Sequence, residues 1–154
     1  MHSEDGLRIS EKCWKELLRK MPIPCVDVIV YQSKQFLMGW RAIPSYKNVW
    51  ALIGGRMFRG ETFTETAIRH CQKSGIQIST PRYIGTFPVK FPTRHDITMC
   101  MVGEMKSGIP KPTKELTRYR WYEIHEIDEI SPIGGNYKKM LRHWKSKFFS
   151  NDSV

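Results

Sequence analysis

The feature that most constrains the fold is the stretch 50–76, in which an apolar run, two glycines, a short polar loop and a helical segment follow one another. Gly54 and Gly55 close the apolar run, which has the composition of a buried strand. Glu61 opens the helical segment and Gly75 ends it, because glycine commonly occupies the position just past a helix. The stretch therefore predicts a strand, a loop and a helix in that order.

The same stretch carries groups that bind phosphate. Glycines beside a helix start let backbone N–H groups approach phosphate oxygens, and an arginine guanidinium pairs with such oxygens through two hydrogen bonds. Gly54, Gly55, Arg56 and Arg59 supply both kinds of donor. We interpret the segment as a phosphate-facing turn, although a Gly-Gly-Arg sequence taken alone fits an ordinary exposed turn equally well.

Length and composition bound the number of domains and the class of ligand. A chain of 154 residues with 40% hydrophobic content fits one ordinary domain with a single core. We predict one domain over residues 1–154, with a core at about 10–149 and mobile tails. The net charge of +10 favours a polyanionic ligand, which leaves a nucleotide diphosphate, a nucleic acid and an anionic surface open.

The cysteines and the hydropathy pattern indicate the compartment. Cys13, Cys25, Cys71 and Cys100 lie far apart without metal-ligand spacing, which is typical of reduced, buried thiols in a cytosolic protein. No apolar run approaches the roughly 18 residues of a membrane span, and no secretory segment is present. We therefore expect a soluble, cytoplasmic protein.

The remaining segments give an order of elements. Ser10 is a candidate N-cap for a helix that runs to about Lys20. Strands are predicted at 25–31, 36–41, 49–53, 83–89 with an interruption near Pro88, 97–106 and 119–122. A last amphipathic helix is predicted at about 136–149. This order favours the α/β (α+β) class, with a mixed central sheet between helices in an α/β/α sandwich.

The spacing of Gly55, Glu61 and Arg69 resembles the Nudix box, G-x5-E-x7-R-E-U-x-E-E-x-G-U, in which U is apolar. In that family, carboxylates of the box helix hold a divalent metal ion against a substrate diphosphate. The resemblance implies a Nudix-type sandwich with hydrolase activity that uses Mg²⁺ or Mn²⁺. The second half of the box departs from the family, because residues 69–74 read Arg-His-Cys-Gln-Lys-Ser where the family has Arg-Glu-apolar-x-Glu-Glu.

Segments outside the box resemble the GDP-mannose mannosyl hydrolase branch of that family, over roughly residues 10–125. They are the N-terminal helix followed by a proline, the strand with Asp27, the segments 38–41 and 50–56, and Tyr-Arg-Trp at 119–121. That branch cleaves the bond between sugar C1 and oxygen. The resemblance implies a substrate-binding set of Asp27, Arg41, Gly54, Gly55 and Arg56, with Arg56 reaching the diphosphate.

The resemblance also implies a metal site made by the backbone carbonyl at the two glycines, a carboxylate near the end of the box helix and a side chain before residue 119. No Asp or Glu occurs from residue 66 to residue 95, and Glu115 stands at the loop position. We predict a weak site for Mg²⁺ or Mn²⁺ from Gly54, Glu65 and Glu115, since hard cations prefer oxygen ligands. Alternatively, Lys73 supplies positive charge in place of a metal.

The general base of the branch is a histidine, and Leu116 stands at its position here. The remaining candidates are His95, Asp96 and Glu115. His95 and Asp96 would act as a base and its orienting partner, although neighbouring residues on a strand point to opposite faces. We take Arg56, Glu115 and His95 as the predicted catalytic set.

The front half of the box also has a structural interpretation. Residues at 61, 65 and 69 fall on one stripe of a helix because they are four apart. In the resembled family the first glutamate and the arginine brace the loop against the helix. We therefore predict that Gly55, Glu61 and Arg69 are structural, and that Glu65 is either a displaced metal ligand or a solvated acid.

The last predicted helix carries five basic residues on its polar face with no acid between them, namely Lys138, Lys139, Arg142, Lys145 and Lys147. Such side chains are usually solvated, but they also bind phosphate backbones in a salt-dependent way. RNA is therefore a possible partner.

Two functions follow from these patterns. The first is hydrolysis of a nucleoside-diphosphate-linked compound, with a nucleotide sugar such as GDP-mannose as substrate. The alternative is a catalytically impaired Nudix-fold protein that binds nucleotides or RNA. The resembled branch forms dimers, which implies a homodimer here.

Overall fold

A computed structural model describes residues 8–44 and 46–149. The helices are α1 (Glu11–Lys20), α2 (Phe63–Lys73) and α3 (Tyr137–Phe149), and a 3₁₀ helix spans Ile124–Glu129. The strands are β1 (Ile23–Gln32), β2 (Gln35–Arg41), β3 (Val49–Ala51), β4 (Ile53–Arg56), β5 (Ile76–Ile78), β6 (Arg82–Lys90), β7 (His95–Gly108) and β8 (Leu116–Glu123). The predicted mobile tails concern mainly residues 1–7 and 150–154, which lie outside the described ranges, and the single domain stays a prediction.

The eight strands form one mixed sheet. β1 lies at its centre, where it pairs parallel with β7 and antiparallel with β2 and β4. β3 and β8 extend the β2 side, and β5 and β6 pair with β7. The central position of β1 explains its apolar composition, since both of its faces are covered.

The two faces of the sheet are read from the alternation of side chains along the central strands. Ile29 and Cys100 belong to the cluster under α3 and the 3₁₀ helix, which also contains Trp144. Val28 and Met101 belong to the cluster on the opposite face, which α2 covers. Helices therefore cover both faces of a mixed sheet, and the predicted α/β/α architecture is confirmed.

The segment around the two glycines differs from the prediction. The predicted strand 49–53 is divided at Leu52, and its second part continues to Arg56 as β4. Gly54 lies opposite Asp27 and Gly55 opposite Val26 in the antiparallel pair of β4 with β1. The glycines therefore belong to a strand and not to a turn, and the loop begins after Arg56.

The start of the box helix also differs. Thr62 is the N-cap of α2, because its hydroxyl accepts a hydrogen bond from Glu65 N at 3.1 Å and the Glu65 carboxylate accepts one from Thr62 N at 2.7 Å. This capping box places Glu61 outside the helix, so the predicted stripe of 61, 65 and 69 is wrong. The C-terminal end is as predicted, since Gly75 follows the helix with φ +80°.

Three smaller differences concern strands and thiols. β6 runs through Pro88 without interruption, because it is an edge strand that pairs only with β7 among the described strands. β7 begins at His95, before the predicted strand start at 97, so His95 and Asp96 belong to this strand. Cys13 is exposed, whereas the other three cysteines are buried as predicted, and all four are free thiols.

No helix within the described ranges has the length and apolar composition that a membrane crossing requires.

Candidate functional site

A cavity of about 320 Å³ lies beside strands β1, β4 and β7. Its charged lining residues are Asp27, Arg41, Arg56, Arg94, Asp96 and Glu115. Its aromatic lining residues are Trp14, Tyr46, Phe91 and Tyr137. We call it the arginine cavity, because three guanidinium groups and three carboxyl groups face one enclosed space.

The register of the strands brings the acidic residues together. In the parallel pair of β1 and β7, Cys25 lies opposite Thr98, and Asp27 lies two residues further along β1. Asp96 lies two residues before Thr98 on β7. Because side chains at alternate positions share a face, Asp27 and Asp96 point to the same side of the sheet and line the same cavity.

Two of the arginines are held by neighbouring groups. Arg94 donates from Nε to Asp96 Oδ1 at 2.8 Å. Arg41 donates from Nη2 to the Pro44 carbonyl oxygen at 2.8 Å, and its Nη1 lies 3.9 Å from Glu115 Oε2. The Arg41 Nε is buried and has no hydrogen-bond partner among the described residues.

Arg56 is held differently, by aromatic rings. Its guanidinium carbon lies 5.0 Å from the centre of the Trp14 ring and 5.0 Å from that of Phe58. Such rings attract a cation through their negative faces without neutralising its charge. Among the described residues no carboxylate forms an ion pair with Arg56, so its charge is available to an anion in the cavity.

Gly54 is required by the position of Asp27. A Cβ built on Gly54 would lie 2.2 Å from Asp27 Oδ1 and 2.4 Å from the Val26 carbonyl oxygen. Both distances are far inside van der Waals contact, and the carbonyl belongs to a central strand that cannot move away.

We expect Gly54→Ala to destabilise the protein by about 2–4 kcal/mol, the cost of a strong steric overlap in a packed sheet. Thermal unfolding would measure the change. Gly85→Ala is a suitable control, because there the nearest atoms are outer ring carbons of Phe87, at 3.1 and 3.5 Å. Equal losses in the two variants would contradict the proposed overlap with Asp27 and the Val26 carbonyl.

The electrostatic surroundings of Asp27 are unusual for a carboxyl group. Burial and then the neighbouring Asp96 carboxylate raise the pKa of Asp27 to about 7, and the Arg41 charge opposes the rise. Near neutral pH the group is therefore divided between its acid and carboxylate forms. A carboxyl group in that state can both give and accept a proton.

The Glu61–Arg69 pair holds the loop that follows β4. Arg69 donates to both Glu61 carboxylate oxygens, at 2.6 and 2.9 Å, and also to the Arg56 carbonyl oxygen at 2.9 Å. Phe58 N and the Thr66 hydroxyl donate to Glu61 as well. Burial raises the pKa of Glu61, but these hydrogen bonds, with that of Arg69 first, lower it to about 2 overall. The pair thus fixes the backbone at Arg56.

Comparison with known proteins identifies the family of this chain. A model of the NUDIX domain family matches residues 21–144. The chain belongs to the Nudix family. Nudix enzymes are among its relatives, and the bracing of Arg56 by Glu61 and Arg69 uses the front half of the Nudix box.

Individual relatives of this Nudix chain differ in their named activities. The NAD-capped RNA hydrolase NudC of Vibrio atlanticus is 25% identical over 123 residues, which cover 78% of this chain and 44% of the relative. The low-salt glycan biosynthesis protein Agl8 of Haloferax volcanii is 26% identical over 81 residues, which cover 52% of each protein. The chain spans less than half the length of the NAD-capped RNA hydrolases that it matches.

A solved structure shares the fold. The Nudix domain of Shewanella oneidensis NrtR, in a complex with ADP ribose, superposes with a TM-score of 0.70 at 14% identity, covering 96% of this chain and 99% of that one. At this identity the likeness supports the Nudix fold alone.

Nudix hydrolases generally use divalent metal ions, and the residues of this Nudix chain do not fit one at the usual place. Lys73 and Ser74 occupy the second half of the box helix, where the family has carboxylates. The Glu65 carboxylate is bound to the helix N-cap. Among the described residues no group of three or more His, Cys, Asp or Glu side chains is arranged to hold a metal ion.

His70, which replaces another box glutamate, is also engaged in contacts within the protein. Burial and then the nearby Arg69 charge lower the pKa of His70 to about 4, so the ring is neutral near pH 7. Its Nε2 lies 3.2 Å from the Arg56 carbonyl oxygen, which only accepts hydrogen bonds, so Nε2 carries the proton. The ring also fills the space beside Gly55, where a Cβ would lie 2.7 Å from the imidazole.

The predicted site residues are brought together in part. Asp27, Arg41, Gly54, Gly55, Arg56 and Glu115 all line the arginine cavity. His95 does not line it, but faces a separate groove between α1 and residues 90–95, where its Nε2 is buried without a partner among the described residues. The Glu65 carboxylate caps the start of α2, and Glu65 lines neither of the cavities that Glu115 lines. The ligand set of Gly54, Glu65 and Glu115 stays a prediction.

Two residues of the cavity were missed by the sequence analysis. Arg94 precedes His95 in an alternating segment, and that alternation is the signal that could have grouped it with Asp96. Trp14 lies within the predicted N-terminal helix, and nothing local in the sequence indicates that it contacts Arg56.

Proposed function

We propose that this Nudix protein hydrolyses a nucleoside-diphosphate-linked compound, and that the substrate is a nucleotide sugar such as GDP-mannose. The observation that carries the proposal is that one cavity contains an arginine with no carboxylate partner among the described residues and a carboxyl group with a pKa near 7. These are Arg56 and Asp27.

The charges of the arginine cavity suit a diphosphate. Arg94 and Asp96 neutralise each other, and Arg41 is only loosely paired with Glu115 across 3.9 Å. With Asp27 partly protonated, the remaining charge of the walls is positive. A diphosphate would bring negative oxygens to Arg56 and Arg41, which is the arrangement that guanidinium groups bind best.

The names of similar proteins agree with this ligand class. NrtR was solved with ADP ribose, a nucleoside diphosphate joined to a sugar. Agl8 is named for glycan biosynthesis, a process that consumes sugars. Both names favour a nucleoside diphosphate attached to a sugar over an isolated nucleotide.

The chemistry that we propose uses residues of the cavity alone. A water molecule attacks sugar C1, the bond between C1 and the diphosphate oxygen breaks, and the nucleoside diphosphate leaves with the bonding electrons. Asp27 in its carboxylate form accepts the proton of the water, because its pKa is matched to neutral pH. Arg56 stabilises the negative charge that develops on the leaving diphosphate. Asp27 thus takes the role that the sequence suggested for His95 or Glu115.

We expect Arg56→Met to reduce GDP-mannose hydrolysis about 100-fold, as removal of a donor to a developing negative charge does in other enzymes. Release of GDP and mannose would be measured over a panel that also contains ADP ribose and NAD. Arg59→Met is the matched control, because Arg59, which the sequence grouped with the phosphate donors, is exposed in the same loop and lines none of the described cavities. No turnover of any panel compound by the unaltered protein would overturn the proposal.

A second function is favoured by the absence of carboxylates from residues 66 to 95. A protein with this cavity but no turnover would bind nucleoside diphosphates as a sensor or carrier. Thermal stabilisation by GDP, together with no product from any compound of the panel, would select this alternative.

RNA binding and dimer formation remain predictions of lower rank. Part of the basic face of α3 is neutralised, since Arg142 Nε lies 2.7 Å from Asp128 Oδ1 and Lys138 donates to the Asp128 carbonyl oxygen. Lys139, Lys145 and Lys147 keep the surface positive, so RNA affinity with a strong salt dependence is the expected signature. Light scattering would measure the oligomeric state.

A further inference from the structure

A second cavity of about 370 Å³ lies on the α2 side of β4, next to the second half of the box helix. We call it the helix cavity. Its polar and charged lining residues are Arg8, His70, Lys73, Ser74, Thr113, Lys114 and Glu115. This is the region in which Nudix enzymes hold their divalent cation, but here the cations Lys73 and Lys114 of the protein itself line it.

The balance of charge in the helix cavity is positive. Glu115 is the one carboxylate among the described lining residues, whereas Lys73 and Lys114 both line the same cavity. His70 adds no charge, since its ring is neutral near pH 7. A concave surface with this excess of positive charge repels a divalent cation and attracts an anion.

The helix cavity also has a hydrogen-bonding floor. The Ser74 hydroxyl is buried and lies 3.0 Å from the Tyr119 hydroxyl, which also lies 2.9 Å from the Lys111 carbonyl oxygen. Tyr119 shares its one proton between Ser74 and that carbonyl, so the Ser74 hydroxyl is held in place at the end of α2 and keeps its own proton to donate. Such a donor beside lysine side chains suits a phosphate oxygen.

The helix cavity and the arginine cavity meet. Gly54, Glu115 and Leu116 line both of them. Gly54 contributes no side chain to this shared wall. Arg56 and Lys73 therefore line neighbouring cavities that share one wall.

We propose that the helix cavity is an anion site, which binds one phosphate group of the nucleotide directly through Lys73 and Lys114 in the place where relatives hold a metal ion. This inference rests on the proposed function for the identity of the ligand. It predicts that the protein binds a nucleoside diphosphate without any divalent cation. It also predicts that the box lysine, and not a box carboxylate, determines the affinity.

The test measures binding of GDP and of inorganic pyrophosphate by calorimetry, in excess chelator and in excess Mg²⁺. We expect the unaltered protein to bind both probes in chelator, with no gain from Mg²⁺, which lowers the charge of the probes. Lys73→Ala should weaken both affinities about tenfold, the effect of one charged contact. Lys73→Glu should weaken them further. Lys145→Ala on the exposed face of α3 is the control and should change neither affinity.

The outcomes separate this inference from the proposed function. If both probes bind only when Mg²⁺ is present, or if Lys73→Ala binds as tightly as Lys145→Ala, the anion site is wrong. In either case GDP binding that depends on Arg56 would leave the proposed function standing. If pyrophosphate binds in a Lys73-dependent way but no nucleotide sugar is hydrolysed, the anion site is correct and the proposed hydrolysis is wrong.

Discussion

Glu61→Ala will lower the free energy of unfolding by about 3–5 kcal/mol, the usual cost of removing one partner from a buried ion pair. The Glu61 side chain is only 8% exposed and that of Arg69 only 19%. Removal of the carboxylate leaves the Arg69 charge buried, and it also leaves Phe58 N without its acceptor. Chemical denaturation at pH 7 would measure the loss.

Glu16→Ala provides the control for the loss of an acidic side chain. Glu16 pairs with Lys20 at 2.8 Å on the surface of α1, where half of its side chain is exposed. Exposed pairs of this kind contribute at most about 1 kcal/mol. Similar losses in Glu61→Ala and Glu16→Ala would contradict the bracing role of Glu61.

The dependence of the Glu61 effect on pH has a definite sign. The pKa of Glu61 is about 2 in the folded protein and 4.5 for an ordinary glutamate. The stabilisation is therefore fully present above pH 4.5 and is lost as the pH falls from there towards 2. The difference between the unaltered protein and Glu61→Ala should shrink over that interval, and it should stay constant from pH 5 to 8.

The front half of the box was predictable because its information is local. Glu61 and Arg69 are eight residues apart, and the resemblance of this spacing to the Nudix box implied a brace between loop and helix. The same spacing led to a wrong geometry, since Glu61 lies before the N-cap and reaches Arg69 from outside the helix. Thr62 and Glu65 form a capping box that the sequence also contained, and recognising it would have placed the helix start correctly.

The arginine cavity was only partly predictable, because it depends on pairing between distant strands. Asp27 and Arg94 approach the same space because β1 and β7 pair in parallel, and no local pattern fixes the register of strands separated by about 70 residues. Gly54 was assigned to a turn because glycine weakens strands. In the structure Gly54 lies within strand β4. Glycine is needed there because the Asp27 carboxyl group fills the space that a side chain would need.

Asp27→Asn will reduce turnover of the nucleotide sugar about 100-fold or more, while making the folded protein more stable at pH 8. The activity falls because an amide cannot accept the proton of the attacking water, and general bases contribute about 10²–10⁴-fold to such reactions. The stability rises because the folded protein no longer holds a carboxylate that is buried beside Asp96.

The sign of this stability change follows from the two pKa values. Asp27 has a pKa of about 7 when folded and 3.8 when it is an ordinary aspartate. Between these values the folded protein binds more protons than the unfolded chain, so the stability of the unaltered protein falls as the pH rises from about 4 to 7 and is level above 7. The asparagine variant lacks this decline. Its advantage should grow over the same interval to about 2 kcal/mol, less than the full shift implies because the cavity admits water.

Turnover and affinity of the unaltered protein should respond to pH in opposite directions. Turnover at saturating substrate should rise as Asp27 ionises near pH 7, whereas affinity for GDP should fall, because the new carboxylate repels the diphosphate. Asp27→Asn should bind GDP with an affinity that stays flat across this range. A variant that loses activity and stability together would show that Asp27 is a structural residue, and a turnover profile without an inflection near pH 7 would exclude it as the base.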